Sequence, residues 1–365
     1  MKQFTFLYLL LCYSCTLFAQ QDDTWIAFWN NDTTLIGFKD QSGKVRIEPK
    51  FVSAFMSADH FDHIIAAIEE KHGIKQSYYL TKEGKVVGRD SLHVLDFTPD
   101  CESEGFIRFR EKKTENVGMF NRKGEVVIPA EYNELSNVRN GLIIALKGAT
   151  KDFWDKDNHS GCNHFNWKNG RQLLLDTNHN ILIEDFVHEN PLNLFSLAVT
   201  NTPHPDTTRK NFRAIDGRFY SFIDFEKEFR NWFLVNLLND FTKEKLETVS
   251  FLQEGYWSKE ESRTTVRGKE FLGKNFELIS SRLLALKTKG SDYYIFDGFL
   301  SAFESNIFPS YYNNCGEVKE WIYPVKSIVI NYGKGLDLRQ DHFDFLRTEE
   351  GYKLISVSIT NSELK

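Results

Sequence analysis

The chain lacks any nucleophile, metal-binding or phosphate-binding motif in its 365 residues, so no reaction can be read from it and no cofactor is expected. It also lacks a basic block, which argues against nucleic acid and anionic lipid headgroups as partners. Without Lys2, 44 of the 45 basic residues stand against 51 acidic ones, a balance of −7. Cysteine is scarce, five residues in all. Only Cys101, Cys162 and Cys315 lie beyond the amino-terminal segment, an odd number that permits one disulfide or none. A chain of this length does not need staples, and the expectation is no essential disulfide.

The amino terminus reads MKQFTFLYLLLCYSCTLFAQ, with Lys2 ahead of an apolar run from Phe4 to Phe18 and a small residue at Ala19. That order is a secretory signal peptide over residues 1–19. The run falls short of the ~20 residues needed to cross a bilayer, so no integral span is expected after cleavage. The expected location is secreted or periplasmic. A lipoprotein acylated at Cys15 or Cys12 is the alternative, although Tyr13 is bulky where processing sites favour small residues. Aromatics make up 15%, with 32 Phe, which calls for a large core or exposed aromatic platforms.

What the chain does have is a repeated hairpin. IGFKDQSGKVRIEPKF (Ile36 to Phe51) returns as VGMFNRKGEVVIPAEY (Val117 to Tyr132), with a degenerate copy, SYYLTKEGKVVGRDSL, between them. Turn glycines fall at Gly43, Gly84 and Gly124. Each unit has a short apolar strand, a turn opening on Asp40, Thr81 or Asn121, and a returning strand. An Asx or Thr side chain can bond back to the turn backbone, while Gly supplies positive φ. The returning strand is expected to alternate, with Val45 and Ile47 buried against wet Lys44 and Arg46. Pro49 and Pro129 end it, because proline cannot donate to a ladder. A third strand is expected at Ile64–Ile68, Phe106–Phe109 and Leu142–Leu146. A fourth, worn copy runs from Leu173 to Phe186 with His179 at the turn, delayed by an insertion from Thr150 to Gly170. A period near 40 residues means stacked supersecondary units, which usually bind rather than catalyse.

The unit resembles the WG (KWG-type) repeat of bacterial proteins. Gly37, Phe38, Asp40, Gly43, Lys44, Val45, Ile47, Pro49 and Phe51 carry the likeness, as do Gly118, Phe120, Asn121, Gly124, Val127, Ile128, Pro129, Tyr132 and the Gly141–Leu142 pair. It extends over about residues 30–190, roughly half the mature chain. Ile36 and Val117 stand where the family has its tryptophan. The resemblance implies an all-β repeat array and, by analogy alone, binding or scaffolding.

The expected organisation is a repeat domain over 20–200, a linker over 201–217 marked by Pro203 and Pro205, and an α+β domain over 218–365. In the last, Phe222, Phe225, Phe229, Trp232, Phe233, Asn236 and Leu237 share one helical face. Thr242 would cap a second helix containing Leu246, Val249 and Leu252, and Leu272 to Leu286 form a third. Strands follow at Tyr293–Phe296, Val318–Tyr332, His342–Arg347 and Tyr352–Thr360. That order fits a cone-shaped fold, a curved sheet around one helix, although no family is recognised there.

Candidate sites are sparse. His159, Cys162 and His164, beside Asp155 and Asp157, form the densest donor cluster for zinc, against a polar loop as the plainer account. Asp59-His60-Phe61-Asp62-His63 offers fewer donors at poorer spacing. Alternation puts His342 and Asp344 on one strand face, where such a pair could act as general acid and base, and Asp341 on the other with Phe343 and Phe345. Tyr256 and Trp257 would make a ligand wall or, more simply, plug a core. The function these features favour is an exported binding or scaffold protein with an unknown envelope or extracellular ligand, protein or glycan. The alternative is a small exported hydrolase or dehydratase with its chemistry around His342 and Asp344. The absence of motifs leans away from an enzyme.

Overall fold

Four-residue turns organise the first half of the molecule. The structure is a computed structural model and describes residues 24–155, 164–257, 263–288, 290–300, 305, 308–333, 335–360 and 364. At the first turn the Asp40 N–H donates to the Lys44 carbonyl and the Gly43 N–H to the Asp40 carbonyl, each at 2.9 Å. The same two bonds close Thr81–Lys85, Asn121–Glu125, Asp176–Asn180 and Ala214–Arg218. The residue that turns the chain has φ of +86° at Gly43 and Gly84, +65° at Gly124, +66° at His179 and +84° at Gly217. Asp40, Asn121 and Asp176 each accept two backbone N–H groups at their Oδ1, which pre-forms the turn.

The turn at Ala214–Gly217 belongs to a hairpin of Arg209–Arg213 and Phe219–Asp224, where the sequence suggests a linker over 201–217. Ala214 has no side chain to bond the turn, so the usual Asx signal is missing there. Strand order also differs from expectation. Ile64–Lys71 pairs with Ile74–Thr81, Phe106–Arg110 with Val117–Asn121, and Leu142–Phe153 with Phe165–Asp176. Each presumed third strand therefore opens the next unit, although Ile64–Lys71 also keeps one pairing with the unit before, Phe51 opposite Glu69, so that the first two units share a seven-stranded sheet. Much of the insertion at 150–170 prolongs that last pair, out to Phe153 opposite Phe165.

Opposite Gly37 the returning strand is bulged, with the register slipping between Ile36–Phe51 and Phe38–Ile47. The later copy slips identically between Val117–Tyr132 and Met119–Ile128. A Cβ on Gly37 would lie 2.6 Å from Pro49 N, and one on Gly118 would lie 2.7 Å from the Ile128 carbonyl. Only glycine lets the two backbones close over the bulge. Beyond the bulge Phe51 and Tyr132 point inward, both fully buried, while a second slip nearer the turn, between Phe38 and Lys39 and between Met119 and Phe120, leaves Val45 and Val126 exposed. The simple alternation expected for Val45 therefore fails.

Successive meanders stack face to face. Ile65 and Ala67 join a core with Phe38, Phe51 and Phe61, whereas Ile64 and Ala66 point the other way onto Tyr79, Ile107 and Phe120. Met119 and Val117 share the next core with Ile143 and Leu173; Leu142 and Leu174 share the one after with Phe186 and Phe222. Inner sheets are thus buried on both faces, which explains their continuous apolar runs.

The last strand of the array runs directly into helix α1 (Phe225–Asn231), whose first turn is capped by the Asp224 carboxylate accepting from the Lys227 N–H. Phe222 is therefore a strand residue and not part of the helical face. The helix widens into a π-type segment, Trp232–Leu237, burying Phe233 and Leu237 and leaving Asn236 exposed. Helix α2 (Lys243–Thr248) is capped by Thr242 as expected but stops before Val249, and Leu252 lies on a strand. Helix α3 spans Gly268–Ala285. These helices pack on a six-stranded sheet ordered Arg263–Arg267, Ser250–Trp257, Gly351–Ser358, Arg339–Thr348, Val325–Tyr332, Tyr293–Gly298, with one parallel pair, the second and third strands. Residues 318–324, expected as strand, are not. They belong to an irregular arm, residues 308–324, that packs Phe308 and Tyr312 on Val325, Leu346 and Ile355 across the sheet from the helices. No described helix is long and apolar enough to cross a membrane.

Gly37→Ala is expected to cost about 3 kcal/mol, the scale of overpacking against immovable neighbours. Gly43→Ala, with open space around its Cβ, should cost only about 1–2 kcal/mol from left-handed strain. Urea unfolding of the two variants checks this, and the reverse order would refute the close-approach account.

Candidate functional site

The connections between units run side by side and are knitted by side chains bonded to backbone. Glu102 accepts the His63 and Ile64 N–H groups at 2.9 Å, and Glu104 accepts those of Asn140 and Gly141 at 2.6 and 2.8 Å. The Ser103 hydroxyl donates to the Val138 carbonyl, and the Asn140 amide to that of Leu194. Asp100, almost fully buried, holds Arg108, whose guanidinium also donates to the Leu135 carbonyl. Burial disfavours the Glu134 carboxylate, but contacts at 2.8 Å with His93 and Arg110 more than offset this and bring its pKa down to about 2.

The arm crosses this row of connections. Its residues Asn313–Glu317 fold as another repeat-type turn: Asn313 N–H to the Glu317 carbonyl, Gly316 N–H to the Asn313 carbonyl, and Asn313 Oδ1 accepting from Cys315 and Glu317. Gly316 has φ of +72°. The signal was in the sequence, since Tyr312-Asn-Asn-Cys-Gly-Glu-Val318 parallels Phe120-Asn-Arg-Lys-Gly-Glu-Val126. It was missed because it stands alone, without the flanking strands of a unit. The Asn314 carbonyl accepts the N–H groups of Asp59 and His60, and its amide donates to Asp62. Cys315 is joined to Cys101 by a disulfide, with Cα atoms 6.2 Å apart, so of the two possibilities left by the odd cysteine count the structure has one bond. Chain length argued against a need for staples, but this bond joins segments 214 residues apart. Cys315 also packs against the first core, the one that contains Phe38 and Phe61.

Further along, the arm lays Trp321 over the Arg139 guanidinium, 4.6 Å from ring centroid to Cζ. Beyond that contact arm and array part, leaving a cleft of about 800 Å³. Arg139 and the stretch from His188 to Leu194 form the array wall, Glu317, Glu320 and Trp321 the arm wall, and Phe225 and Asp297 the end. The Arg139 Nε is buried and has no hydrogen-bond partner among the described residues. Burial, reinforced by Arg108, pulls the Arg139 pKa down to about 10, with Glu320 and Glu317 compensating only in part. The Glu320 carboxyl is shifted upward, first by desolvation and then by Asp297, although the residue as a whole is exposed at the rim. His188 bonds through Nδ1 to the Asn190 carbonyl at 2.8 Å, which leaves its buried Nε2 unpartnered. Two residues that line the cleft thus each carry a buried nitrogen that the fold leaves unpartnered.

The residues singled out from sequence are not gathered here. His342 and Asp344 share a strand face as expected, but it is the face turned from the helices, and Asp344 accepts a hydrogen bond from Ser327 at 2.5 Å. Neither lines the cleft. Asp341, on the helix side, pairs with Arg282 at 3.3 Å and accepts the Thr360 N–H. Tyr256 and Trp257 end the strand Ser250–Trp257, where Tyr256 pairs with Val357; their side chains lie outside the described residues. His159 and Cys162 lie outside them too, while His164 stacks on Trp154. His60, Asp62 and His63 diverge: His60 pairs with the Ile26 strand, Asp62 bonds Thr24 and Asn314, and His63 bonds Glu102.

This architecture, a stack of β-meanders carrying an α+β domain, defines a repeat protein. The sequence profile described as WG containing repeat matches residues 36–58 and 118–149, so the chain carries two WG-containing repeats. No curated protein matches it. The family's tryptophan position is filled by Ile36 and Val117, both buried in the inter-unit cores, so in this chain it serves packing.

Reducing the Cys101–Cys315 bond, or replacing both residues by Ala, should lower unfolding free energy by about 3 kcal/mol. An unchanged melting curve under reductant would show that the clasp adds nothing. Because the folded pKa of Glu134 lies below its ordinary value near 4.5, the stability it contributes is present above that value and lost as pH falls toward 2. Glu134→Gln should therefore flatten the acid limb of a melting-temperature profile. A parallel profile in the variant would contradict the pairing.

Proposed function

We propose that this is an exported binding or scaffold protein whose repeat stack and carboxy-terminal arm hold a ligand between them. The observation that carries this reading is the cleft itself, about 800 Å³ with an unpartnered Arg139 Nε in its wall. Ligand sites commonly measure roughly 300–1,000 Å³ and join an apolar lining to a few placed polar groups. Stacked units make rigid walls, and their connections are where unit-specific residues can vary without disturbing the cores. The leader-like residues 1–19 support export, and so does the disulfide, since such bonds persist in oxidising compartments. The ligand is then a molecule of the envelope or the medium. No reaction is assigned to the cleft.

A thermal-shift screen of envelope-derived peptides and glycans against the oxidised protein tests this. A ligand at a hundred times its Kd should stabilise the fold by about 2.7 kcal/mol. Glu189→Trp, an exposed cleft residue enlarged to fill the mouth, should abolish the shift. Equal shifts in both proteins, or none in either, would overturn the assignment of the cleft.

A further inference from the structure

Resting on that binding reading, we infer that the cleft takes a short peptide or other amino-acid-like zwitterion, its carboxylate held at Arg139 and its ammonium at Glu320 and Glu317. Charge arrangement is the first argument. A simple anion entering the cleft would meet Arg139 but also the carboxylates of Glu317 and Glu320 on the arm. A simple cation would meet those carboxylates and be repelled by the guanidinium. Only a ligand carrying both signs improves the situation on each wall at once. Asp297 is less available, because it is already engaged by the buried ammonium of Lys326.

The second argument concerns unmet bonding. Arg139 is held over the Trp321 ring, which restrains its fork, and a carboxylate suits that fork better than any neutral acceptor does. Its depressed basicity and the raised pKa of Glu320 are what opposite groups look like when each lacks a close counter-charge. His188, whose Nε2 the fold leaves without a partner, lines the same wall.

The third argument is the lip. Leu95 lines the cleft and is 70% exposed, and two residues on, Phe97 is 88% exposed with φ of +65°. A bulky residue held in the left-handed region at a hairpin tip is strained, and such strain persists where the surroundings use it. An apolar side chain on the ligand, between its two charged ends, would cover this tip.

The test is isothermal titration of the oxidised full chain with the tripeptide Ala-Phe-Ala, its carboxy-terminal amide and its N-acetyl form. Amidation and acetylation should each weaken binding at least tenfold. Arg139→Gln should bind the free acid and the amide equally, while the double variant Glu317→Gln/Glu320→Gln should cease to distinguish the acetylated form. Circular dichroism and an intact disulfide would establish that the variants are folded. Equal affinity of all three peptides, or no binding of the free tripeptide at millimolar concentration, would overturn the inference. If peptides fail but a glycan from the screen binds the wild type and not Glu189→Trp, the ligand class is wrong and the cleft assignment stands. If Glu189→Trp binds the tripeptide like wild type, both fall.

Discussion

Burial of both faces of each inner sheet is the constraint on which the molecule depends. A single meander of three short strands cannot shelter enough apolar surface to fold alone. Adjacent side chains in one strand, such as Ile64 and Ile65, belong to different cores, so each unit stabilises the unit before and the unit after. Stability then propagates along the stack, and its ends become the weak points. The far end is closed by continuity, since Asp224 finishes the last strand and caps α1 in one stroke. The near end needs a separate cover, and the arm supplies part of it through Cys315.

The arm's use of a repeat-type turn has a simple physical basis. A Gly-closed turn presents outward carbonyls and a compact tip, and here the Asn314 carbonyl takes two N–H groups from the connection after the first unit. Covalent closure through Cys101 holds the tip down at one end, and Arg139 with Trp321 holds the middle. The cleft opens beyond these contacts, between the last two inter-unit connections and the arm. Its walls therefore come from elements whose positions are set by the two strongest features of the fold, the stack and the clasp. Binding energy at such a site need not be spent on ordering the walls.

The repeat half was largely legible in the sequence because its determinants are local. Turn glycines, Asx residues and the Gly37 and Gly118 close approaches are short-range requirements, and they recur. The strand partners were harder to read. Ile64–Lys71 pairs along its length with the hairpin after and at one point, Glu69 opposite Phe51, with the hairpin before, a division that no local signal marks. The hairpin at Ala214–Arg218 escaped because Ala214 breaks the Asx pattern, and its sheet sets the returning strand rather than the leading one in the middle. In the other half, α3 showed through its periodicity and α2 through its Thr242 cap, whereas the end of α2 before Val249 and the irregular 318–324 segment did not, since packing rather than propensity shapes them.

The candidate site was hardly legible at all. Arg139, His188, Glu320 and Trp321 are unremarkable singly, and nothing in their spacing brings them together. The sequence by itself determined the repeated hairpin, its turn chemistry and the apolar runs that demand stacking, because those follow from contacts a few residues apart. Tertiary structure alone decided that Cys101 meets Cys315, that the arm crosses the inter-unit connections, and that a cleft remains beside Arg139. Contacts across some 200 residues depend on where whole units come to rest, and no local rule encodes that.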